Sequence, residues 1–351
     1  MSREQRRGVT VERADLDFAD LPFAYLKTDA NIRYWFRDGV WSDGELTADE
    51  HISIHMAAVV LHYGQAIFEG LKVYERPDGK IQTFRIDENA LRLQRSATTL
   101  LMEPVPVEIF KEAVHRVVLA NRRFVPPHGF GASLYVRPFE IGSGAEVGVK
   151  PSKEYLFTVF VTPVGPYYKS GFTPVRLRVE EEIHRAAPGG VGNVKAAGNY
   201  AAGLRATIAA KAAGYAEVLY LDCENRCFID ESGSSNFFAI RGDTFITPAS
   251  PSILPSITNM SVREIARDMG LKVEQRPVSV DELSTFDEAG ALGTAAIITP
   301  IEAVTYRDTD YVYCPDGKAG PVVTRLYERL LSIQTGEADD PYGWTEVIPE
   351  G

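Results

Sequence analysis

The stretch Pro188-Gly-Gly-Val-Gly-Asn-Val-Lys195-Ala-Ala-Gly-Asn-Tyr200 sets one lysine at the end of a glycine-rich loop. Small neighbours let the backbone pass close to a flat ligand and leave the amine unblocked. The segment after it, 199–213, is rich in alanine and reads as a helix. An amine at the positive end of a helix, out of water, holds its proton weakly and keeps free-base character. Imine formation with an aldehyde requires such an amine. Alone the pattern is weak, because a lysine beside glycines is ordinarily a solvated loop residue.

Outward from the loop, Val175-Arg-Leu-Arg-Val179 alternates as a strand does. Further strands are predicted at 217–222, 227–230 and 236–248, the last turning at Gly242-Asp243. A helix over 259–269, a strand over 272–278, an apolar run through Ile297-Ile-Thr299 and a helix over 321–334 complete this half. Upstream, Ile32-Arg-Tyr-Trp-Phe-Arg37 and Val40-Trp41 form a hairpin on Asp38-Gly39. A second hairpin joins 71–74 to 81–85 across Pro77-Asp-Gly79. Helices over 88–101 and 108–124 precede strands at 134–138 and 155–161. The breakers in Thr162-Pro-Val-Gly-Pro-Tyr-Tyr-Lys-Ser-Gly171 mark a linker. The expected fold is α/β with two domains: a smaller one over 1–161, a linker over 162–171 and a larger one over 172–351.

The 351 residues, 45% hydrophobic and 24% charged, have the composition of a globular chain of about two domains. A net charge of −11 argues against nucleic acid, whose binders carry basic surfaces. No apolar run approaches the roughly 20 residues of a membrane helix. The mixed charges of the first residues do not read as a secretory signal. Cys223, Cys227 and Cys314 form neither a disulfide framework nor a CxxC pair, so a cytoplasmic location is expected. His51 and His55 stand at helical spacing without an acidic or thiol partner, and no metal is expected.

Pyridoxal phosphate needs a Schiff-base lysine, a dianion site and an acid facing the pyridine nitrogen, and the chain offers each. Leu254-Pro-Ser-Ile-Thr258 opens a helix whose free amides and hydroxyls would cradle a phosphate. Gly293-Thr-Ala295 gives another hydroxyl with close backbone approach, and Arg92 adds a positive charge. Glu231, where a strand meets a tight turn, would keep the ring protonated. Each residue also has a plain reading: Ser256 as a helix cap, Glu231 as a solvated acid, Arg92 as a surface charge, Thr294 as a strand hydroxyl. Their co-occurrence in one chain favours the cofactor.

These segments resemble the branched-chain aminotransferases of the fold-type IV pyridoxal phosphate enzymes from about residue 61 to 344. The likeness rests on Leu61-His-Tyr-Gly-Gln-Ala-Ile-Phe-Glu-Gly-Leu-Lys72, Leu134-Tyr-Val-Arg-Pro138, Arg185-Ala-Ala-Pro188 through Tyr200, and Glu231-Ser-Gly-Ser-Ser-Asn236. It continues in Leu254-Pro-Ser-Ile-Thr258, Gly293-Thr-Ala295, Thr335-Gly-Glu337 and Gly343-Trp344. The resemblance implies a larger C-terminal pseudo-barrel domain with the cofactor between the two domains. It implies Lys195 as the catalytic lysine, Tyr200 on the ring oxygen and Glu231 on the ring nitrogen. Arg92, Ile257, Thr258 and Thr294 would hold the phosphate, and Thr294 with Ala295 would meet the substrate carboxylate. Phe23, Tyr63, Phe68, Tyr135 and Tyr167 would wall the side-chain pocket, and Arg137 would receive the distal carboxylate of glutamate. Val149 matches an apolar contact that the family supplies from a partner subunit, which implies a homo-oligomer built from dimers.

The implied activity is ping-pong transfer of the amino group between L-leucine, L-isoleucine or L-valine and 2-oxoglutarate. D-amino-acid aminotransferases and aminodeoxychorismate lyases share the lysine, the acid and the phosphate groups, but Leu61-His-Tyr63 and Tyr135-Val-Arg137 follow the branched-chain pattern. A protein that merely carries the cofactor would not need these pocket residues. Two departures stand out. The redox CxxC of the family's animal members is replaced by Ala295-Ala-Ile-Ile-Thr299, so no thiol switch is expected. Ser234 and Ser235 stand in place of a Thr-Met pair, which would reshape the pocket floor.

Overall fold

Asp38 and Gly39 both take positive φ, 52° and 81°, the twist that a two-residue hairpin needs. They join β1 (Asn31–Arg37) to β2 (Val40–Trp41), as the sequence predicts. The computed structural model describes residues 12–167 and 172–350. Residues 168–171 of the expected linker and the first residues of the chain lie outside that range.

The first sheet adds β3 (Glu45–Thr47), β4 (Ala66–Phe68), β5 (Leu71–Glu75), β6 (Ile81–Phe84), β7 (Ser133–Gly142) and β8 (Tyr155–Val164). Short α1 (Val59–Tyr63) precedes β4, while α2 (Ile86–Thr99) and α3 (Val107–Ala120) lie between β6 and β7. Leu93 and Ala97 of α2 and Phe110, Val114 and Val117 of α3 bury against Ile32, Tyr34, Phe157 and Val159 of the sheet. The predicted helix over 108–124 is interrupted at Asn121. Its side-chain oxygen accepts the Asp29 and Ala30 amides at 2.8 and 3.0 Å, and a 3-10 turn takes over at Arg122–Phe124.

The second sheet comprises β9 (Val175–Glu180), β10 (Glu217–Leu221), β11 (Ile229–Ser232), β12 (Asn236–Arg241), β13 (Thr244–Pro248), β14 (Lys272–Arg276), β15 (Glu288–Gly293), β16 (Ile297–Tyr306) and β17 (Thr309–Val312). Its order is β11-β10-β9-β16-β15-β12-β13-β14, with β17 on β16. Glu231 of β11 also pairs with Asn236 of β12, and this contact closes β11-β10-β9-β16-β15-β12 into a barrel. Alternation then splits β12 between two cores. Phe237 and Ala239 join the apolar cluster of Leu177, Leu219 and Ile301. Phe238 and Ile240 face α5 (Ile257–Asp268) and α6 (Pro321–Thr335) through Val262, Ile265, Leu326 and Leu330. A last helix, α4 (Ala197–Ala212), connects parallel β9 and β10.

Several expected boundaries change, three of them for reasons of hydrogen-bond pairing. β8 runs to Val164, because Val164 pairs with Ser133, so the strand extends into the expected linker. The strand predicted from 227 starts at Ile229, since the Cys227 and Phe228 amides are drawn to the Asp222 carboxylate at 3.1 and 2.8 Å. The expected 172–351 unit also gives its end back to the first sheet: β18 (Thr345–Val347) pairs with β6 and completes the order β18-β6-β5-β7-β8-β1-β2, with β3 on β1 and β4 on β7. No helix among the described residues is long and apolar enough to cross a membrane.

Candidate active site

Lys195 lies just before α4, where the loop crosses to the first sheet. Its amide donates to Ser96 Oγ at 3.0 Å, and its carbonyl accepts the Phe68 amide at 3.2 Å. Asn199 ties the glycine loop down through the Val191 and Val194 carbonyls at 2.7 and 3.0 Å. Gly192 has a packing reason to be glycine: a Cβ there would stand 2.4 Å from the Ser252 carbonyl oxygen and 3.2 Å from the Arg185 guanidinium. With its backbone fixed on both sides, Lys195 projects its amine into a cleft of about 410 Å³. Nζ donates to Tyr200 Oη at 2.8 Å and sits 4.7 Å from the Phe68 ring centre.

Glu231 lines the same cleft at the seam that closes the barrel, and it is buried rather than a solvated turn acid. Asn236 Nδ2, its partner across the seam, donates to Oε2 at 2.6 Å, and the Leu254 amide donates to Oε1 at 3.2 Å. Arg185 Nη2 forms an ion pair with Oε1 at 2.7 Å. Burial pushes the carboxyl up to about 7, with Arg185 opposing the rise.

Two halves of an anion cradle meet nearby. At the start of α5, Ser256 Oγ accepts the Asn259 amide at 3.2 Å, the cap that the plain reading foresaw. The Ile257 and Thr258 amides have no partner among the described residues and retain the binding capacity of a helix N-terminus. Ile257, Thr258 and Thr294 share a small void of about 20 Å³. Arg92 is buried, not a surface charge. It grips Glu69 with Nε and Nη2 at 2.7 and 2.8 Å and gives Nη1 to the Pro255 carbonyl at 3.1 Å, beside the α5 entrance. Burial works against the Glu69 carboxylate, but Arg92 outweighs it and holds the group below its ordinary range. Thr294 and Ala295 form the turn between β15 and β16, and Lys72 Nζ donates to the Ala295 carbonyl at 2.7 Å. Burial lowers that amine to about 8. The β-branched Ile297 closes the turn at φ 66°, a costly conformation of the kind that gathers at functional sites.

Phe23, Phe68, Tyr135, Arg137 and Tyr167 wall the cleft. Phe23 packs edge-on against Tyr135 and Tyr167, with ring centres 5.4 and 5.0 Å away. Arg137 Nη2 donates to Tyr135 Oη at 3.1 Å, while its buried Nε makes no hydrogen bond. Ser234 and Ser235 lie on the cleft floor, where Ser235 is engaged with Ser232 Oγ at 2.7 Å. Tyr63, expected in the wall, lies elsewhere, and Val149, expected to act from a partner subunit, is outside this chain's own cleft as well. Tyr63 is exposed on α1 with its hydroxyl on the Val147 carbonyl, and Val149 is 86% exposed. The short α1 and the loop 143–150 stand outside the cleft, so one chain does not bring either residue to it.

Several participants are invisible in the sequence. Arg185, Asn236, Glu69 and Lys72 fall inside the quoted motifs, but only barrel closure and the meeting of the two sheets give them partners. Among the described residues no group of His, Cys, Asp or Glu could hold a metal ion.

Residues 66–304 match the class IV amino-transferase family. Over 340 residues the chain is 45% identical to branched-chain-amino-acid aminotransferase 5, chloroplastic, of Arabidopsis thaliana, covering 95% of this chain and 80% of that one. It is also 45% identical over 337 residues to the branched-chain-amino-acid aminotransferase of Haemophilus influenzae, covering 94% and 98%. Among solved structures, the Escherichia coli branched-chain amino acid aminotransferase aligns with a TM-score of 0.76 at 26% identity, over 91% of this chain and all of that one. The T.th. branched-chain amino acid aminotransferase with pyridoxamine 5′-phosphate aligns with a TM-score of 0.75 at 28% identity, over 92% of this chain and all of that one. By sequence along most of its length and by fold, the chain belongs to the class IV aminotransferases and, within them, to the branched-chain-amino-acid aminotransferases.

Proposed function

We propose that the chain is a pyridoxal 5′-phosphate-dependent transaminase acting on L-leucine, L-isoleucine and L-valine with 2-oxoglutarate as amino acceptor. One observation carries this: a lysine amine, a buried carboxylate and Ser256 at the entrance of a helix line one cleft of about 410 Å³, and Thr294 of that cleft also lines the small void of the Ile257 and Thr258 amides. The residues fit the cofactor. Lys195 Nζ would hold it covalently, Glu231 would face its ring nitrogen and Tyr200 its ring oxygen. The amides of Ile257 and Thr258, the Thr294 hydroxyl and the Arg92 charge would hold its phosphate.

When bound, the cofactor supplies an electron sink for charge that develops at the substrate's α-carbon. The chain's residues do the rest. Lys195, its amine freed when the substrate's amino group takes its place, would take the α-proton, a general-base role worth about 10²- to 10⁴-fold. Tyr200 Oη, 2.8 Å from Nζ, orients that amine. Glu231, as a carboxylate, would keep the proton on the ring nitrogen. The turn at Thr294 and Ala295 would bind the substrate's α-carboxylate.

Dual specificity follows from Arg137. Its guanidinium carbon lies 4.9 Å from the Phe68 ring centre and 5.2 Å from that of Tyr135. Those rings satisfy the cation electrostatically while an aliphatic side chain fills the pocket. When glutamate enters instead, the guanidinium would pair with its distal carboxylate. Discrimination among the three aliphatic substrates is expected to be weak, one methylene being worth about 1–3 kcal/mol.

We further propose a homodimer-based assembly in which Val149 and Tyr63 complete a neighbouring subunit's pocket, supported by their exposure on one face. A cytoplasmic location is proposed on the three free thiols of Cys223, Cys227 and Cys314, with cell fractionation as the check. The function is tested by incubating the purified chain with pyridoxal phosphate, L-leucine and 2-oxoglutarate and measuring L-glutamate. Glutamate formation that disappears in Lys195→Ala is expected. Turnover of D-alanine or aminodeoxychorismate in its place would overturn the assignment.

A further inference from the structure

Glu231 is an acid in a place that disfavours charge. It is buried at the barrel seam, and its strand neighbour Asp230 is buried as well. Burial raises the Glu231 carboxyl from 4.5 to about 7, and the negative charge of Asp230 adds to the rise. The groups facing it come from three other elements. Asn236 on β12 and the Leu254 amide before α5 are neutral donors. Arg185, from the loop after β9, is the cation paired with it, and Lys195 and Arg92 line the same cleft. The remaining contacts of Arg185 are also neutral: the Ser252 carbonyl and, at 3.3 Å, that of Gly192. Arg185 also acts on the neighbouring Asp230, whose carboxyl it lowers, and Asp222 and His184 act on Asp230 as well.

We infer, on the transaminase function proposed above, that Arg185 is a positioning residue that keeps Glu231 an anion, so that the proton shared with the cofactor's ring nitrogen resides on the nitrogen. A carboxylate and a pyridine nitrogen in contact share one proton, and the local field decides which of them keeps it. Burial favours the neutral acid beside a neutral ring. An adjacent guanidinium favours the carboxylate beside a ring cation. No proton is gained or lost, because it only moves from the carboxyl oxygen to the nitrogen. The protonated ring is the better electron sink, so Arg185 would act on the rate without touching substrate or cofactor. Gly192 belongs to the same arrangement, since a side chain there would press on both Arg185 and Ser252.

The test uses holoenzyme loaded with pyridoxal phosphate carrying ¹⁵N in the ring, as wild type, Arg185→Gln and Arg185→Lys. Glutamine keeps a donor for the neighbouring carbonyls and removes the charge. Wild type is expected to give a pyridinium ¹⁵N signal at pH 7, and Arg185→Gln a signal moved toward neutral pyridine. In that variant kcat falls by at least about tenfold, the equivalent of one pKa unit. Its KM for L-leucine stays within about threefold, as for an interaction made only in the transition state. Arg185→Lys, whose shorter side chain keeps the charge further off, gives an intermediate signal and recovers part of kcat. A pyridinium signal unchanged in loaded Arg185→Gln overturns the inference. If that variant does not fold, Arg185→Met is loaded and read in the same way, and an unchanged pyridinium signal in it overturns the inference. Wild-type protein that takes up no cofactor overturns the transaminase function itself.

Discussion

At the scale of single residues, the site is made of charges placed where water is excluded, and each depends on a specific neighbour. Arg92 and Glu69 form a buried bidentate pair. Removing one member leaves the other uncompensated, which costs about 3–5 kcal/mol. Glu69→Gln should therefore lower the urea-unfolding free energy of the cofactor-free protein by about that amount. The double change Glu69→Leu with Arg92→Leu should recover much of the stability and none of the cofactor affinity, and equal losses in both proteins would argue against a charge-pair role. Glu231 gives a pH signature. Its unfolded carboxyl titrates near 4.5 and its folded one near 7, so between these values the folded state binds more protons than the unfolded state. Stability then falls as pH rises from about 4.5 to about 7 and is level above, with a total on the order of 3 kcal/mol. Melting curves of the cofactor-free wild type should show a decline across that window that Glu231→Gln lacks. Parallel curves for the two proteins would place the acid in a different environment.

At the scale of elements, α5 separates the cap from the cradle. Ser256 Oγ is already engaged by the Asn259 amide, so Ser256→Ala should cost about 1 kcal/mol of stability and little cofactor affinity. The anion site instead depends on unpaired amides. Proline at the first helical position removes one amide without breaking a helix, and Ser256 before it already has the extended backbone that proline requires, with φ −73° and ψ 128°. Ile257→Pro should thus bind pyridoxal phosphate at least about tenfold more weakly than Ile257→Ala, the loss of one charge-assisted hydrogen bond. Equal affinities would remove the Ile257 amide from the site. This contrast also explains what the sequence could reveal. The hairpin at Asp38-Gly39, the helix after Lys195 and the capping hydroxyl of Ser256 are local events, written in neighbouring residues. The ion pair between Arg185 and Glu231 joins residues distant in the chain, and the local Glu231–Asn236 seam closes a barrel only because β9 pairs with β16 and β12 with β15, so no local pattern encodes either. β18 is illegible for the same reason: its three residues become a strand only because the edge of β6 is there to pair with. The structure brings Lys195, Tyr200, Glu231 and Arg92, which the resemblance names, to the lining of one cleft. The resemblance does not say that Arg92 commits its charge to Glu69.

For the whole molecule, the question is where Tyr63 and Val149 act. Val147 and Val149 are both 86% exposed and Met56 is 82% exposed, with Leu61 and Tyr63 exposed beside them. These residues do not move independently. Tyr63 Oη bonds the Val147 carbonyl, the Glu146 amide donates to the Ala57 carbonyl at 2.9 Å, and the Val59 amide donates to the Gly144 carbonyl at 3.2 Å. The loop and α1 therefore form one apolar platform, and a platform of this kind on a folded chain marks an interaction surface. A stable dimer buries about 1,200–2,000 Å², so a single charge at the platform's tip should disrupt it without unfolding the chain. Val149→Lys should shift the sedimenting species from dimer to monomer at micromolar protein. Because the same residue would wall the neighbouring pocket, KM for L-leucine should rise by about tenfold or more as the assembly is lost, the scale of one or two kcal/mol of removed apolar contact. A circular-dichroism melt matching that of the wild type would show that the fold survives. A wild-type chain that sediments as a monomer with full activity would instead make the pocket complete within one chain, and the exposed valines would need another partner.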